Sequence, residues 1–146
     1  MMDWIATRID SKYVEDKDLI VMGDFNVPKI GDKLFAALTS KGLKVPKPLL
    51  NLTAGDQVLQ GTNLEKNARY DQILHLPTLP ENFTKAGGTL DFFLDDAHIK
   101  ELFPESQYTR TQFSFQMSDH LPLWIQIKTD IEGFRLTQLI QDARKK

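Results

Sequence analysis

The sequence predicts a single mixed α/β domain, on the grounds of its length, its composition and the order of its apolar segments. The chain has 146 residues, of which 41% are hydrophobic and 26% are charged, as in an ordinary globular domain. Its apolar segments follow the order strand, helix, strand, strand, helix, strand, which is typical of layered α/β folds. We therefore expect a mixed β-sheet with helices on one face.

The same composition excludes several classes of protein. A net charge of −2 and a pI near 5.9 do not indicate a broadly basic surface for nucleic acid. The absence of cysteine excludes disulfides and thiol catalysis. The longest aliphatic run, Leu19 to Met22, is far shorter than the roughly 20 residues of a membrane-spanning helix. With no recognisable signal peptide, a cytoplasmic location is expected.

The first half of the chain predicts two helices and one strand. Apolar residues at helical spacing indicate a short helix within Asp3–Lys12. The run Leu19–Met22, closed by Gly23 and Asp24, predicts a strand that is buried on both faces. Asp32 is the predicted N-cap of a helix that ends near Gly42 and buries Leu34, Phe35 and Leu38. Residues 44–67 show no sustained period, which is typical of a functional or mobile loop.

The second half alternates between predicted strands and helices. Strands are expected at Arg69–Leu76, at Leu90–Leu94 after Gly87-Gly88, and at Leu121–Lys128. A helix is expected from Asp95 or Asp96 to Phe103, and Phe113–Gln116 is predicted to be strand-like. Residues at helical spacing predict a C-terminal helix, namely Leu136, Leu139, Ile140 and Ala143.

The first candidate site is Gly23-Asp24-Phe25-Asn26, at the end of the first strand. Asp24 and Asn26 are two residues apart, so both project to the same side of a strand end. A carboxylate there can orient or deprotonate a water, and an amide can donate a hydrogen bond to a phosphoryl oxygen. The alternative is a structural strand-to-turn junction, in which both side chains cap the turn.

Two further candidate sites lie just before the last predicted strand and inside the second predicted strand. In Ser118-Asp119-His120, adjacent residues point in opposite directions, so a serine triad of these neighbours is implausible. Asp119 could bind a hard metal while His120 faces a phosphate, or the three residues could only satisfy the start of a strand. Asp71 lies in an otherwise apolar strand, where it needs a partner such as a histidine, unless that strand is an edge facing water.

Taken in order, these three motifs resemble the endonuclease/exonuclease/phosphatase superfamily, which has the deoxyribonuclease-I-like fold. The resemblance is carried by Gly23-Asp24-Phe25-Asn26, Arg69-Tyr70-Asp71-Gln72-Ile73-Leu74 and Ser118-Asp119-His120. It implies a metal-dependent phosphoesterase, a hydrolase of the nuclease or phosphatase class. The implied substrate is a phosphate ester, whether nucleic acid, phosphoinositide or another ester.

The resemblance also implies a role for each matched residue. Asp24 would orient or activate the attacking water, and Asn26 would help to bind the phosphoryl oxygens. Asp119 would help to hold Mg²⁺ or Mn²⁺. His120 would contact the scissile phosphate, and Asp71 would pair with His120.

The family fold is a four-layer sandwich of two similar halves, and this chain resembles only the second. Residues 1–128 would form that half, and residues 129–146 a helical extension packed on it. The family's first half supplies a metal-binding Glu in a Gln-Glu pair, which does not occur here, so the metal site is expected to be incomplete.

A half-sandwich would expose the apolar face that carries Ile20, Met22 and Ile73. We therefore expect a truncated domain that self-associates as a homo-oligomer or needs the missing N-terminal half. The alternatives are a non-catalytic remnant or interaction module, and an enzyme whose activity returns only on pairing.

Overall fold

The computed structural model describes residues 2–12, 18–50, 61–76, 82–93, 96–105, 108–129 and 132–144. Within these ranges the chain forms six helices and four strands, so the predicted mixed α/β class is confirmed. The helices are α1 (Met2–Asp10), α2 (Lys33–Thr39), α3 (Lys47–Leu50), α4 (Asp96–Leu102), α5 (Arg110–Gln116) and α6 (Glu132–Ala143). The strands are β1 (Ile20–Asp24), β2 (Asp71–His75), β3 (Phe83–Thr89) and β4 (Leu123–Ile127). None of the described helices is long and apolar enough to cross a membrane.

The strands form two antiparallel pairs, β1 with β2 and β3 with β4, in place of the single mixed sheet that the sequence predicts. The edge of β2 that faces away from β1 is already occupied at both ends. Lys44 exchanges backbone hydrogen bonds with His75, at 2.8 and 2.9 Å. The Asp71 N–H donates to the Thr62 hydroxyl at 3.0 Å. These contacts satisfy the edge of β2 locally, so its ladder does not continue into β4.

Two hydrophobic clusters form the core. The first lies between the β1–β2 pair and the N-terminal helices, and its buried members are Ile5, Leu38, Leu43, Val45, Leu49, Ile73, Leu74 and Leu76. The second packs α4 and α5 against the segment before β4, with Leu64, Phe93, Ile99, Phe113 and Leu121 buried. Both clusters end near the carboxyl end of β1, the amino end of β2 and the approach to β4, where the candidate motifs lie.

Several predicted elements are present, with adjusted ends. The Asp32 side chain caps α2 by accepting from the Leu34 N–H at 2.8 Å, although α2 ends at Thr39 with Ser40 as its C-cap. Leu38 is buried as expected, but Leu34 is 56% exposed because it faces away from the first cluster. The segment predicted as a loop contains α3, and residues 51–60 of it lie outside the described residues.

The prediction that β1 is buried on both faces is wrong. Ile20 is 37% and Met22 is 66% exposed, because within the described residues β1 pairs only with β2 and the Met22 side of the strand is uncovered. Ile73 is buried in the first cluster. The expected apolar face is therefore exposed at Ile20 and Met22 but not at Ile73.

Two of the later strand predictions are also wrong. The strand expected at Leu90–Leu94 lies earlier, at Phe83–Thr89, and includes both glycines. A Cβ on Gly87 would lie 3.0 Å from both Pro48 Cβ and the Trp124 carbonyl oxygen, so this strand uses glycine for close packing. Leu94 itself lies outside the described residues.

The strand-like piece at Phe113–Gln116 belongs instead to helix α5. Thr109 caps this helix, and Thr109 and Gln112 form a capping box that satisfies backbone donors of its first turn. Phe113 is therefore buried as a residue of a helix and not as a residue of an extended strand.

The C-terminal helix is present as α6. Helix α4 begins at Asp96, so Asp96 is not its N-cap, and Asp95, the other predicted cap, lies outside the described residues. Leu136 and Ile140 of α6 are 60% and 45% exposed. Packing of residues 129–146 on the domain therefore stays a prediction.

Candidate active site

The site begins with two carboxylates that face each other across the β1–β2 pair. Asp24, the last residue of β1, is the register partner of Asp71, the first residue of β2. Residues directly opposite each other in an antiparallel pair project from the same face, and like charges in that position are destabilising. The chain therefore places two acids where packing alone would favour neutral side chains.

Asp71 has a cationic partner in His120. The Nδ1 atom of His120 lies 2.7 Å from Oδ2 of Asp71, with the side chains 29% and 22% exposed. Because an ionised carboxylate can only accept, the imidazole Nδ1–H donates this hydrogen bond. The geometry fixes the ring and leaves Nε2 as its second polar atom. Asp71 is therefore not a water-facing edge residue, and the contact implied by the resemblance is present.

The surrounding acids favour the protonated form of His120. Burial would lower the pKa of His120, but the hydrogen bond that it donates to Asp71 and the charges of Asp71, Asp119 and Asp24 together raise it above its ordinary value. An imidazole in such surroundings carries a positive charge over a wider pH range than a free histidine. It is suited to stabilising negative charge or to donating a proton.

Ser118 and Asp119 arrange the backbone that carries His120. The His120 N–H donates to the Ser118 hydroxyl at 2.9 Å, and the Asp119 carbonyl accepts from the Leu64 N–H at 2.9 Å. Ser118 thus satisfies the backbone at the approach to β4, as the structural alternative expects. Its bond to the His120 backbone is not the serine–imidazole contact that a serine nucleophile needs. The Asp119 side chain is exposed.

Asn26 lies two residues beyond Asp24 in a tight turn. Its backbone N–H donates to Oδ1 of Asp24 at 2.9 Å, and its own φ is 53°, a left-handed conformation that asparagine tolerates. The turn-capping alternative therefore describes this local hydrogen bond correctly. This hydrogen bond also occupies one oxygen of Asp24, and the Asn26 side chain is exposed to solvent.

Two grooves adjoin the motifs. The first, here the His120 groove, has a volume of about 370 Å³ and is lined at one end by Asp71, Ser118 and His120. Its remaining walls are mostly apolar, with Met22, Ile73, Leu121, Pro122 and Leu123. The second, here the Arg110 groove, has a volume of about 230 Å³ and is lined by Tyr70, Arg110 and Asp119 among others. Asp119 and His120 thus line different grooves, as expected of neighbours on an extended segment.

Two residues beside the site were not predicted from the sequence. The Tyr70 ring centroid lies 5.9 Å from that of His120, so Tyr70 forms a wall beside the imidazole. Arg110 contacts Glu65 at 3.2 Å and stacks 4.7 Å above the Phe93 ring. Tyr70 directly precedes Asp71, which was a usable signal in the sequence. Arg110 carries no such signal, because its position depends on α5 being helical.

The metal site implied by the resemblance does not fit the described residues. They contain no group of three or more His, Asp or Glu side chains that could hold a metal ion. Asp119 supplies one exposed carboxylate, whereas Mg²⁺ uses octahedral oxygen coordination and usually needs additional carboxylates or substrate phosphates. The prediction that this chain lacks a complete Mg²⁺ or Mn²⁺ site stays a prediction.

Comparison of the chain with protein-family models, curated proteins and solved structures gives no significant match. These comparisons therefore do not test the roles expected for Asp24, Asn26, Asp71, Asp119 and His120, which stay predictions.

Proposed function

We propose that the chain carries part of a phosphoesterase site, in which the His120 imidazole, held by Asp71, contacts the phosphoryl group of a phosphate ester. The observation that carries the proposal is the 2.7 Å contact between His120 and Asp71, at one end of an open groove. A protonated imidazole fixed in this way can stabilise the charge that develops on phosphoryl oxygens or protonate a leaving oxygen.

The opposing acid supports this assignment. Asp24 faces Asp71 across the strand pair, and its carboxylate can accept a proton from a water molecule. An acid that accepts and a histidine that donates, on the same face, are the two groups that hydrolysis of an ester requires. The two opposed carboxylates lie beside a histidine whose pKa they raise, and groups perturbed in this way cluster at functional sites.

The proposed enzyme is metal-dependent, and Asp119 is its proposed carboxylate ligand for Mg²⁺ or Mn²⁺. Because the described residues do not complete such a site, no catalytic step of this chain is assigned to the ion. Other ligands would have to come from the substrate or from a second half of the domain, and in the second case full activity depends on that partner.

A second candidate function is that of an interaction module. It is favoured by the exposed apolar side chains of β1 and β4, namely Ile20 at 37%, Met22 at 66%, Trp124 at 44% and Ile127 at 38%. Exposed apolar surface of this kind is typical of an interface with another protein or with a second copy. In this candidate the polar motifs hold the fold together and perform no chemistry.

Hydrolysis of chromogenic esters separates the two candidates. Bis(4-nitrophenyl) phosphate and 4-nitrophenyl phosphate would be incubated with the chain in Mg²⁺ and in EDTA, with 4-nitrophenyl acetate as a non-phosphate control. We expect His120→Gln to lower the rate by at least about 100-fold, the usual contribution of a general acid. His98→Gln, a histidine of α4 outside both grooves, serves as the matched control and should leave the rate unchanged.

The dependence on protein concentration tests the requirement for a partner. A specific activity that rises with protein concentration would support a site completed by a second copy. Equal rates for the unaltered chain and His120→Gln at every concentration would exclude an autonomous phosphoesterase. The interaction module would then be the better description.

A further inference from the structure

Thr62 occupies an unusual position between the two strands that carry the candidate site. It is fully buried, although threonine is a residue type that mostly lies on the surface. It precedes β2 by nine residues and belongs to the segment Gly61–Ala68, which has no strand or helix of its own. A buried polar side chain in an irregular segment needs specific partners, so its contacts indicate what the segment does.

Each polar group of Thr62 bonds to a different part of the chain. Its N–H donates to the Ala68 carbonyl at 2.8 Å, which closes the local loop. Its hydroxyl oxygen accepts from the Asp71 N–H at 3.0 Å. Its carbonyl accepts from the Leu121 N–H at 2.6 Å. One residue thus joins the first residue of β2 to the residue that follows His120.

The joined segments belong to different sheets. Asp71 begins β2 in the first pair of strands, whereas His120 immediately precedes the approach to β4 in the second. They are 49 residues apart in sequence. Next to Thr62, Asn63 forms a β-bridge with His120, and the Leu64 N–H donates to the Asp119 carbonyl at 2.9 Å. Residues 62–64 therefore form the backbone link between the two parts of the site.

We propose that Thr62 is a positioning residue, whose hydroxyl holds the Asp71 backbone at the distance from His120 that their hydrogen bond requires. This inference rests on the proposed function of the Asp71–His120 pair. A donor–acceptor distance of 2.7 Å is short enough that a displacement of a few tenths of an ångström weakens the bond. Without the hydroxyl, the part-buried Asp71 N–H loses its acceptor, which favours a shift of β2 toward another acceptor.

The decisive measurement is the NMR signal of the proton on Nδ1 of His120, which the hydrogen bond to Asp71 moves downfield and protects from exchange with water. It does not depend on hydrolysis, and the three histidines of the chain are simple to assign with His75→Gln and His98→Gln. Thr62→Val replaces the hydroxyl by a methyl group of similar size, and we expect it to move this proton signal upfield and to speed its exchange. Thr62→Ser restores the hydroxyl and should keep the signal of the unaltered protein.

A second threonine supplies the matched control. The Thr39 hydroxyl donates to the Phe35 carbonyl at 2.9 Å in α2, away from both grooves. Thr39→Val removes a part-buried hydroxyl that also makes a hydrogen bond, and it should leave the Nδ1 proton signal of His120 unchanged. A folded Thr62→Val protein in which this signal and its exchange rate are unaltered would overturn the proposal.

Two further measurements cover the remaining outcomes. If Thr62→Val does not fold, Thr62→Ala and Thr62→Ser give the same comparison with smaller side chains.

In the unaltered protein, the Asp71 amide should exchange with deuterium far more slowly than an exposed amide, and fast exchange would contradict the hydrogen bond to Thr62. Where hydrolysis is observed, Thr62→Val should lower kcat more than it changes KM. An inactive unaltered protein would count against the proposed function and leave the result on the His120–Asp71 hydrogen bond intact.

Discussion

The structure predicts a specific loss of stability when Gly61 is replaced by a residue that has a Cβ atom. A Cβ at this position would lie 2.5 Å from the Ala68 carbonyl oxygen, 2.7 Å from Oδ1 of Asn63 and 2.7 Å from the Lys66 carbonyl carbon. Two of these three atoms belong to the backbone, so rotating a side chain cannot relieve the contacts. In Gly61→Ala, the loop Gly61–Ala68 must open by about 0.9 Å for the Cβ to reach the Ala68 oxygen at an ordinary contact distance.

The cost follows from the hydrogen bonds that such an opening breaks. The Gly61 N–H donates to the Lys66 carbonyl at 3.1 Å, and the Thr62 N–H donates to the Ala68 carbonyl at 2.8 Å. Loss of a buried hydrogen bond that leaves one partner unsatisfied costs about 1–3 kcal/mol. With two such bonds at risk in a buried loop, we expect Gly61→Ala to lower the free energy of unfolding by about 3 kcal/mol.

Urea unfolding followed by tryptophan fluorescence and by circular dichroism measures this loss. Gly88→Ala is the matched control, because the nearest atom to its added Cβ is Nε1 of Trp124 at 4.0 Å. That variant should stay within about 0.5 kcal/mol of the unaltered protein, or gain slightly from a stiffer unfolded chain. A loss below about 1 kcal/mol in Gly61→Ala would refute the close packing of this loop.

Three further predictions concern single side chains. The pKa of His120 is raised in the folded protein, so its contribution to stability is complete below its unfolded pKa of about 6.5 and is lost as the pH rises through the folded value. The free energy of unfolding of the unaltered protein minus that of His120→Gln should therefore fall as the pH rises above about 6.5, and a flat difference would contradict the raised pKa. Taking the difference cancels the opposite effect of buried His75, whose pKa is lowered by desolvation. Arg69 is fully buried, its pKa is lowered to about 10 by desolvation, and its Nε and Nη2 atoms have no hydrogen-bond partner among the described residues. Arg69→Met should be neutral or should raise the urea midpoint, and a loss above about 2 kcal/mol would show that the guanidinium is well compensated. Thr109→Ala removes the N-cap of α5 and should cost about 1 kcal/mol in urea unfolding, whereas Thr111→Ala within the same helix should cost less; equal losses would argue against the capping box.

Local patterns in the sequence were sufficient where an element is defined by neighbouring residues. Asp32 caps α2 as predicted, because an N-cap depends on residues within one turn. The helix in Asp3–Lys12, the strand at Asp71–His75 and the C-terminal helix also follow from periodicity alone. The same reasoning failed at Phe113–Gln116, where the capping box Thr109–Gln112 outweighs a run that alternates like a strand.

Burial was predicted less well than element type. The apolar run before Gly23 indicates a strand correctly, but not which of its faces is covered. Coverage depends on which other segment lies against that face, and those segments are distant in sequence. Likewise, Gly87 and Gly88 are typical of a strand break when the sequence is read locally, whereas the missing side chain of Gly87 allows β3 to approach Trp124 and Pro48.

The sequence by itself predicted the mixed α/β class and the candidate residues Asp24, Asn26, Asp71, Asp119 and His120, and it left open whether Asp71 pairs with a histidine or faces water. Only the tertiary structure decided that Asp71 has a partner, His120, at 2.7 Å. It also decided that Asp119 lines a different groove from His120, and that buried Thr62 joins the start of β2 to the segment before β4. The physical reason is that residue types and spacing report local geometry and charge. Contacts between residues 49 positions apart exist only once two sheets and an irregular segment have packed together.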